Sequence, residues 1–269
     1  SGDLKISCYN YKKSGGIVLI KLFLSPLLFL FFTTSAVACE GCIIAEAVAA
    51  ENMASVGRGV YLRYCTGCHG EKGDGKGKGS TLLVIKPRDL TSGIFKFKST
   101  QMGSLPTDED LIHTIINGLP GSSMPAFPLL PESEIRSVIA YIKTFSERWK
   151  KEKLQTSIFL PSTPVFMNTA DSVLKGRELY IANGCNICHG DSGDGKGPAA
   201  EGMADTWSNP CRPRNFKRGI YRSGAKPKDL FKTLSTGIEG TPMPAFTYIS
   251  EEERWHLISY LLSLKAGKK

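Results

Sequence analysis

Two similar domains in tandem, each closed by an amphipathic helix, are the architecture that the sequence predicts. Three observations indicate it: a length of 269 residues, an internal repeat with a shift of about 120 residues, and apolar residues at helical spacing at the end of each copy. A chain of this length suits two domains of about 100 residues each. We expect a targeting segment at residues 1–44, a first domain at 45–150, a linker at 151–170 and a second domain at 171–269.

Composition narrows the possible classes of protein without selecting one. The hydrophobic content of 41% is enough for ordinary globular cores. The net charge of +9 suits a nucleic acid, an anionic lipid or an acidic protein as partner, and it carries no information about the fold. Eight cysteines are too few for a disulfide-dense scaffold of this length, so their spacing matters more than their number.

The N-terminal segment has the pattern of a targeting sequence. Basic residues precede an apolar run at 17–38, which ends in small residues immediately before Cys39. This pattern is typical of a cleaved secretory signal peptide, and the run is also long enough to serve as a membrane anchor. A third option is lipidation of Cys39, although Ala36 stands where a lipid-attachment motif normally has Leu. All three options place the rest of the chain outside the cytoplasm.

Two motifs recur in the two copies of the repeat. The letters CTGCHG at 65–70 are matched by CNICHG at 185–190, and a loop with the letters GDGKG follows each. Further along, GLPGSSMPAF at 118–127 is matched by GIEGTPMPAF at 237–246. Because separate motifs recur at nearly the same shift, we expect duplicated domains that carry duplicated sites.

Helices are predicted at the end of each copy from apolar residues at helical spacing. The residues that define the two closing helices are Ile135, Val138, Ile139 and Ile142, and then Trp255, Ile258, Leu261 and Leu262. Ser250 followed by Glu253 predicts a capping box at the start of the last helix. Thr107 is the expected cap of an earlier helix in the first copy.

The linker contains Pro161 and Pro164 and is expected to be extended. Four apolar residues make it unsuited to be a free tether, so we expect the linker to lie against a domain surface. These residues are Ile158, Phe159, Val165 and Phe166.

The spacing C-x-x-C-H is the attachment sequence for c-type haem. The two thiols add to the two vinyl groups of the porphyrin, and the imidazole that follows binds the iron from one face. We therefore expect Cys65 and Cys68 to hold one haem, with His69 as an iron ligand. The glycines of the next loop are expected to let the chain turn sharply beside the ring. The corresponding set in the second copy is Cys185, Cys188 and His189.

Zinc binding and thiol redox chemistry are the alternatives for this motif. Zinc needs a fourth ligand, and neither His113 nor His256 has a counterpart in the other copy. A thioredoxin-like motif would need a βαβ context, which the sequence lacks. Two copies of C-x-x-C-H in a chain with a targeting segment favour haem.

One methionine in each copy is the expected second axial ligand. Met124 and Met243 follow their histidines by 55 and 54 residues, and each stands between turn residues and a proline, which is a poor position for a helix core. His/Met ligation raises the reduction potential and fills both axial positions of the iron. The methionines without a counterpart are expected to be packing residues: Met53, Met102, Met167 and Met203.

These motifs resemble those of the class I c-type cytochromes in their tandem dihaem form, from about Ala45 to the C-terminus. The resemblance implies a small all-α fold. An N-terminal helix, which carries Gly57 and Tyr61 in the first domain and Gly176 and Tyr180 in the second, is crossed by the closing helix, and the haem lies between them.

The resemblance also implies contacts around each haem. Arg88 and Arg214, in repeated Pro-Arg motifs, are similar to arginines that contact haem propionates in this family. A proline carbonyl is expected to accept a hydrogen bond from the ligating histidine. Pro198 is the candidate in the second domain, whereas the first domain has Lys78 and Gly79 at the equivalent place and leaves the acceptor open.

The expected function is electron transfer through two covalently attached haem c groups, without catalytic residues, between redox proteins outside the cytoplasm. One alternative is a permanent dihaem subunit of a membrane respiratory complex. Another is a dihaem oxidoreductase or peroxidase, which would need an iron with a free or labile axial position. Cys211, near the second motif and without a counterpart in the repeat, keeps this enzyme alternative open.

A basic segment at 212–232 is the expected docking face for an acidic redox partner. No nucleic-acid-binding motif accompanies the charges, and basic patches steer the encounter with acidic proteins. Asp229 is the acidic residue that opposes them. The basic residues are Arg212, Arg214, Lys217, Arg218, Arg222, Lys226, Lys228 and Lys232.

Overall fold

The computed structural model describes residues 40–265, with side chains from residue 48 onward, and this part of the chain is helical. Within this range the structure contains no β-strand, and an isolated bridge joins Ala204 and Pro210. The helices of the first half are α1 (Glu40–Tyr64), α2 (Thr66–His69), α3 (Asp108–Asn117), α4 (Glu132–Lys143) and α5 (Arg148–Lys151). Those of the second half are α6 (Ala170–Ala182), α7 (Cys185–His189), α8 (Pro227–Thr236) and α9 (Glu251–Ser263).

The apolar run at 17–38 and Cys39 lie outside the described residues, so the three options for the N-terminal segment stay predictions. None of the helices in the described part of the chain combines the length and the apolar character that a bilayer crossing requires.

The first and last long helices of each domain cross at a glycine. A Cβ atom at Gly57 of α1 would lie 1.8 Å from the carbonyl oxygen of Ser137 in α4. A Cβ atom at Gly176 of α6 would lie 2.0 Å from the carbonyl oxygen of His256 in α9. Only a residue without a side chain allows this approach of two backbones, and the expected crossing of the terminal helices is therefore confirmed.

Each crossing pair buries its own apolar core. In the first domain Tyr61 of α1 packs with the apolar face of α4, and in the second Tyr180 of α6 packs with that of α9. Of the residues predicted for the two closing helices, Leu262 is half-buried. The others are buried: Ile135, Val138, Ile139, Ile142, Trp255, Ile258 and Leu261.

The helix starts follow the sequence prediction. Thr107 and Asp110 form a capping box before α3, and Ser250 and Glu253 form one before α9. In both, the backbone N–H of the third helical residue donates to the cap hydroxyl over 3.2 Å. These boxes satisfy backbone groups that would otherwise lack a partner at the helix end.

The linker contacts the first domain through its backbone and through a pair of serines, whose Oγ atoms at Ser157 and Ser99 lie 2.8 Å apart. The amide of Ile158 donates to the carbonyl oxygen of Ser99 over 2.7 Å. Further on, the Phe166 ring lies 4.6 Å from the His256 ring, centroid to centroid. The linker thus lies against both domains, as expected, although Phe159 is 82% exposed and Val165 is fully exposed. The backbone bond at Ile158 holds the linker without burying them.

The two domains belong to one compact unit and contact each other through polar side chains. Lys98, which is buried, forms an ion pair with Glu239, whose other contact is the Gly103 amide at 3.1 Å. Lys96 pairs with Asp205 over 3.3 Å. Lys98, Asp205 and Glu239 have no charged counterpart in the repeat, so the comparison of the two copies did not predict this interface.

Candidate functional site

The two C-x-x-C-H motifs form short helical turns, α2 and α7, directly after the long helices α1 and α6. The turn brings the cysteines and the histidine of each motif to one cavity. Cys65, Cys68 and His69 line the cavity of the first domain. The corresponding residues of the second cavity are Cys185, Cys188 and His189. The structure thus brings together the residues that the motif predicts to act together.

The orientation of each histidine ring is fixed by a main-chain carbonyl group. Nδ1 of His69 lies 3.0 Å from the carbonyl oxygen of Arg88, and Nδ1 of His189 lies 3.0 Å from that of Arg214. Because a carbonyl oxygen only accepts, Nδ1 carries the proton and Nε2 keeps its lone pair. Burial lowers the pKa of both imidazoles, which favours this neutral form.

The expectation that Pro198 supplies the acceptor was wrong. The acceptor is the carbonyl group of Arg214, 25 positions after His189 along the chain, and in the first domain that of Arg88, 19 positions after His69. The repeated Pro-Arg dipeptide was the signal for it. The contact is made by the main-chain carbonyl group of the arginine, whereas the sequence had indicated a role only for its side chain.

A tyrosine in each long helix holds the end of the C-x-x-C-H turn. The hydroxyl of Tyr61 donates to the carbonyl oxygen of Gly70 over 2.8 Å, and that of Tyr180 donates to Gly190 over 2.7 Å. Burial raises the pKa of both phenols, so they remain donors at neutral pH. The bond ties the histidine-bearing turn to the crossing pair of helices.

The glycine-rich loop folds back on the C-x-x-C-H turn. Gly77 donates its amide to the carbonyl oxygen of Cys68 over 3.1 Å, and Gly197 makes the same bond to Cys188 over 3.2 Å. A Cβ atom at Gly77 would lie 2.4 Å from the carbonyl oxygen of Thr66. The missing side chain is therefore needed for the close approach of two backbone segments.

The predicted axial methionines line the same cavities as the histidines. Met124 faces the cavity of His69, and Met243 faces that of His189. The two loops have equivalent bonds from a main-chain amide to a side-chain hydroxyl: the amide of Met124 donates to Ser122 Oγ over 3.2 Å, and that of Met243 donates to Thr241 Oγ1 over 3.2 Å. Both loops follow helices of equal length, α3 and α8, and so reach the cavity in the same way.

The two predicted arginines also lie at the cavities. Arg88 lines the first cavity and Arg214 the second, and burial lowers the pKa of each guanidinium to about 10. The guanidinium of Arg88 lies 4.0 Å above the ring of Trp207 in the other domain. Both side chains remain positively charged at neutral pH and face the space in which a buried anion would be stabilised.

Sequence reasoning missed a wall that the two cavities share. Lys96, Phe97 and Arg222 line both of them. Lys96 and Phe97 come from the first domain and Arg222 from the second. Only Arg222 had been singled out, as part of the expected docking face, and the structure places it in the cavity wall instead.

The second cavity has two further sulfur-bearing residues. Met203, expected to be a packing residue, and Cys211 both line it, and the amide of Cys211 donates to the carbonyl oxygen of Met203 over 2.8 Å. They flank the isolated bridge between Ala204 and Pro210, which has no equivalent among the described residues of the first domain.

These residues fit a covalently bound haem in each cavity. The donor set offers two thiols, an imidazole with Nε2 available and a thioether, and the remaining walls are mostly apolar. The first cavity includes Val60, Leu90, Phe95, Leu111 and Ile142 in its wall. His256, one of the two possible zinc ligands, lies away from the cavities with Nδ1 2.8 Å from Ser172 Oγ.

Comparison with known proteins agrees with this fit. The family model described as "Cytochrome c" matches residues 173–265, and the model described as "Cytochrome C oxidase, cbb3-type, subunit III" matches residues 52–142. A solved structure from the Kuenenia stuttgartiensis reducing HAO-like protein complex Kustc0457/Kustc0458 is similar with a TM-score of 0.76 and 38% sequence identity. The match covers 78% of this chain and 96% of that one.

The chain belongs to the tandem dihaem c-type cytochromes. Its all-α fold of two cytochrome c domains follows the sequence prediction, and it carries two covalently bound haem c groups. The two cytochrome c domains support haem-based electron transfer.

Curated relatives of this cytochrome include the cbb3-type cytochrome c oxidase subunit CcoP of Helicobacter pylori. It is 25% identical over 181 residues, which cover 65% of this chain and 49% of the relative. CcoP from a second strain of the same species gives the same identity and covers 50% of that relative. The cytochrome thus spans about half the length of the curated relatives that it matches.

Proposed function

We propose that this cytochrome is an electron carrier whose two irons each have one histidine and one methionine as axial ligands. Cys65 and Cys68 attach the first haem, with His69 and Met124 as ligands. The corresponding set of the second domain is Cys185, Cys188, His189 and Met243. The observation that carries the proposal is that, in each domain, the C-x-x-C-H turn and the methionine loop line one cavity.

When bound, each haem exchanges one electron between its ferric and ferrous states. The chain contributes a fixed site for this exchange. The carbonyl groups of Arg88 and Arg214 hold the imidazoles with Nε2 free, and the apolar walls exclude water from the site. A thioether ligand and an apolar environment both favour the ferrous state and raise the reduction potential.

A carrier is favoured over an enzyme because both axial positions are filled. Two protein ligands per iron leave no coordination position for a substrate, and the two methionine loops are held by equivalent bonds from an amide to a hydroxyl group. Cys211 lies in the wall of the second cavity, but that cavity already contains Met243.

Carbon monoxide binding tests the filled axial positions. We expect the oxidised holoprotein to be low-spin at neutral pH, and the ferrous protein not to bind carbon monoxide at either iron. Met243→Ala should open one position and give one equivalent of bound carbon monoxide. Met203→Leu, in the same cavity, is the matched control and should bind none. High-spin iron or rapid carbon monoxide binding in the unaltered protein would refute the carrier and support an enzyme.

The adjacent cavities support a relay within the molecule. Because Lys96, Phe97 and Arg222 separate them, an electron that enters at one domain has a short route to the other. We propose that one domain faces the donor and the other the acceptor, with domain limits at 45–150 and 171–269 and the linker at 151–170. The ranges matched by the two family models fall within these limits.

The protein is proposed to act on the outer side of the cytoplasmic membrane, to which the N-terminal segment would direct or anchor it. A permanent place in a respiratory complex is the second candidate. It is favoured by the similarity to an oxidase subunit and to a chain of the Kuenenia stuttgartiensis complex. Purification from detergent-solubilised membranes distinguishes the two: a fixed subunit copurifies with other redox proteins in constant proportion, and a diffusing carrier does not.

An exposed basic surface of the second domain is the proposed docking face for an acidic redox protein. Three basic residues of the segment at 212–232 line the cavity, namely Arg212, Arg214 and Arg222, and of these Arg212 is also exposed. Lys232 is half-buried, so the basic surface is smaller than the sequence predicted. The exposed residues that form this basic surface are Arg212, Lys217, Arg218, Lys226 and Lys228.

A further inference from the structure

Arg222 occupies an unusual position in the wall between the two cavities. It belongs to the second domain, yet it lines the cavity of the first domain as well as its own. Its Nε is buried and has no hydrogen-bond partner among the described residues. A buried N–H group of a charged side chain without an acceptor is costly, and a carboxylate bound in either cavity would supply the missing acceptor.

The surroundings of Arg222 have an excess of positive charge. Lys96 belongs to the shared wall, Arg88 lines the first cavity, and Arg212 and Arg214 line the second. Asp205 is paired with Lys96 over 3.3 Å, whereas the guanidinium of Arg88 lies on the Trp207 ring. Burial lowers the pKa of Arg222, and Cys211 is the group that opposes this shift. Arginine nevertheless keeps its charge at neutral pH.

The carboxylates of the two haem groups would supply the anionic partner that Arg222 lacks among the described residues. Each haem has two carboxylates, which are its anionic groups, and a guanidinium binds carboxylates with several N–H donors in a planar fork. Arg88 and Arg214 each line a single cavity. Arg222 and Lys96 line both, so a carboxylate from either side is within their reach.

We propose that Arg222, together with Lys96, is a cationic bridge that binds carboxylates of both haem groups and sets both reduction potentials. The inference rests on the proposed function only in placing one haem in each cavity. A positive charge in a buried wall disfavours ferric iron, which has one positive charge more than ferrous iron. Since the wall is shared, the loss of one charge should be felt at both irons.

A spectroelectrochemical titration of the Arg222→Gln holoprotein tests the bridge. Both potentials should fall by about 59 mV. This shift corresponds to about a tenfold decrease in the equilibrium constant for reduction by one electron. Arg214→Gln should lower the potential of the second haem alone. Lys228→Gln, which removes an exposed charge of the same domain, should move neither. If Arg222→Gln shifts only one potential, or none, the bridge is refuted.

Lys96→Gln provides a second variant in case Arg222→Gln does not fold. It removes the other cation of the shared wall and should also lower both potentials, and a shift confined to one haem would refute a shared bridge. Haem content and a low-spin spectrum establish that each variant has its sites intact. A high-spin spectrum in the unaltered protein would refute the proposed ligation instead, so the failure of the function and the failure of the bridge are distinguishable.

Discussion

At the scale of single residues, each axial methionine sets the potential of its own site. Met124→His should lower the potential of the first haem alone, and Met243→His that of the second, because a thioether favours ferrous iron more than imidazole does. We expect at least about a tenfold change in the reduction equilibrium constant, or about 59 mV. A potentiometric titration monitored by absorbance measures the reduction potentials of both haem groups.

Met102→Leu and Met203→Leu are the controls and should change little. Met203 is the stricter control, because it lines the same cavity as Met243. If Met203→Leu shifts a potential strongly and Met243→Leu does not, the ligand of the second domain is assigned wrongly.

The tyrosines that hold the C-x-x-C-H turns contribute to stability. Tyr61→Phe removes the donor to the buried carbonyl of Gly70 and should lower the free energy of unfolding by about 1 kcal/mol. Tyr180→Phe should have a similar effect through Gly190. Urea unfolding of the ferric holoprotein measures it. Tyr248→Phe, at a side chain that is 70% exposed, should leave the midpoint unchanged, and equal effects at all three would contradict this role.

The candidate ligands could be predicted from the sequence, because the chemistry of thiols, imidazole and thioether depends on side-chain type. The acceptor for each histidine could not be predicted, because every residue has the same main-chain carbonyl group, whatever its side chain. Pro198 was chosen by resemblance, and the fold instead brings the Pro-Arg main chain to the imidazole.

At the scale of helices, the close crossing of α1 and α4 depends on Gly57. Gly57→Ala would place a Cβ atom 1.8 Å from the carbonyl oxygen of Ser137, so the two helices must move apart. We expect the free energy of unfolding to fall by about 3 kcal/mol. Gly59→Ala is a matched control two residues away, where a Cβ atom meets nothing within 4 Å.

Gly59→Ala should raise stability by up to about 1 kcal/mol, since alanine favours the helix. Thermal unfolding of the two holoproteins compares them directly. Equal effects of the two substitutions would show that helix propensity, and not the crossing, decides the result.

Helices with apolar spacing and caps were predictable because the signals are local. Thr107 and Ser250 cap the expected helices, and the closing helices bury the expected faces. The linker was predicted less well, since its attachment is an amide of Ile158 bound to a carbonyl group distant in sequence. The exposure of Phe159 and Val165 follows from that backbone attachment.

At the scale of the whole molecule, the interface between the domains was not predictable from the repeat. The repeat identifies residues that are present in both domains. The interface joins different faces of the two domains and therefore depends on residues that are present in only one of them. Trp207 beneath Arg88 and Glu239 beside Lys98 both belong to the second domain only. The shared wall of the two cavities follows from these contacts.

The basic surface predicts a dependence of docking on ionic strength. The rate of electron transfer from the reduced protein to an acidic blue-copper protein, measured by stopped flow, should fall as salt rises, because the Debye length is about 10 Å at 0.1 M. The double variant Lys226→Glu/Lys228→Glu should slow the reaction further without moving either potential.

Lys151→Glu/Lys153→Glu is the matched control for this surface. It reverses two exposed charges at the same spacing, near the linker, and should have a much smaller effect. A rate that does not change with salt, or equal slowing by both double variants, would remove the docking role of the basic surface.

Proton NMR of the fully reduced holoprotein tests the central claim most directly. A methionine methyl group bound to haem iron lies over the ring, so its signal moves far upfield. We predict two such methyl signals, one lost in Met124→His and the other in Met243→His, with the remaining signal kept in each variant. One signal or none in the unaltered protein, or a signal that survives the substitution of its methionine, would contradict an electron carrier with two His/Met-ligated haems.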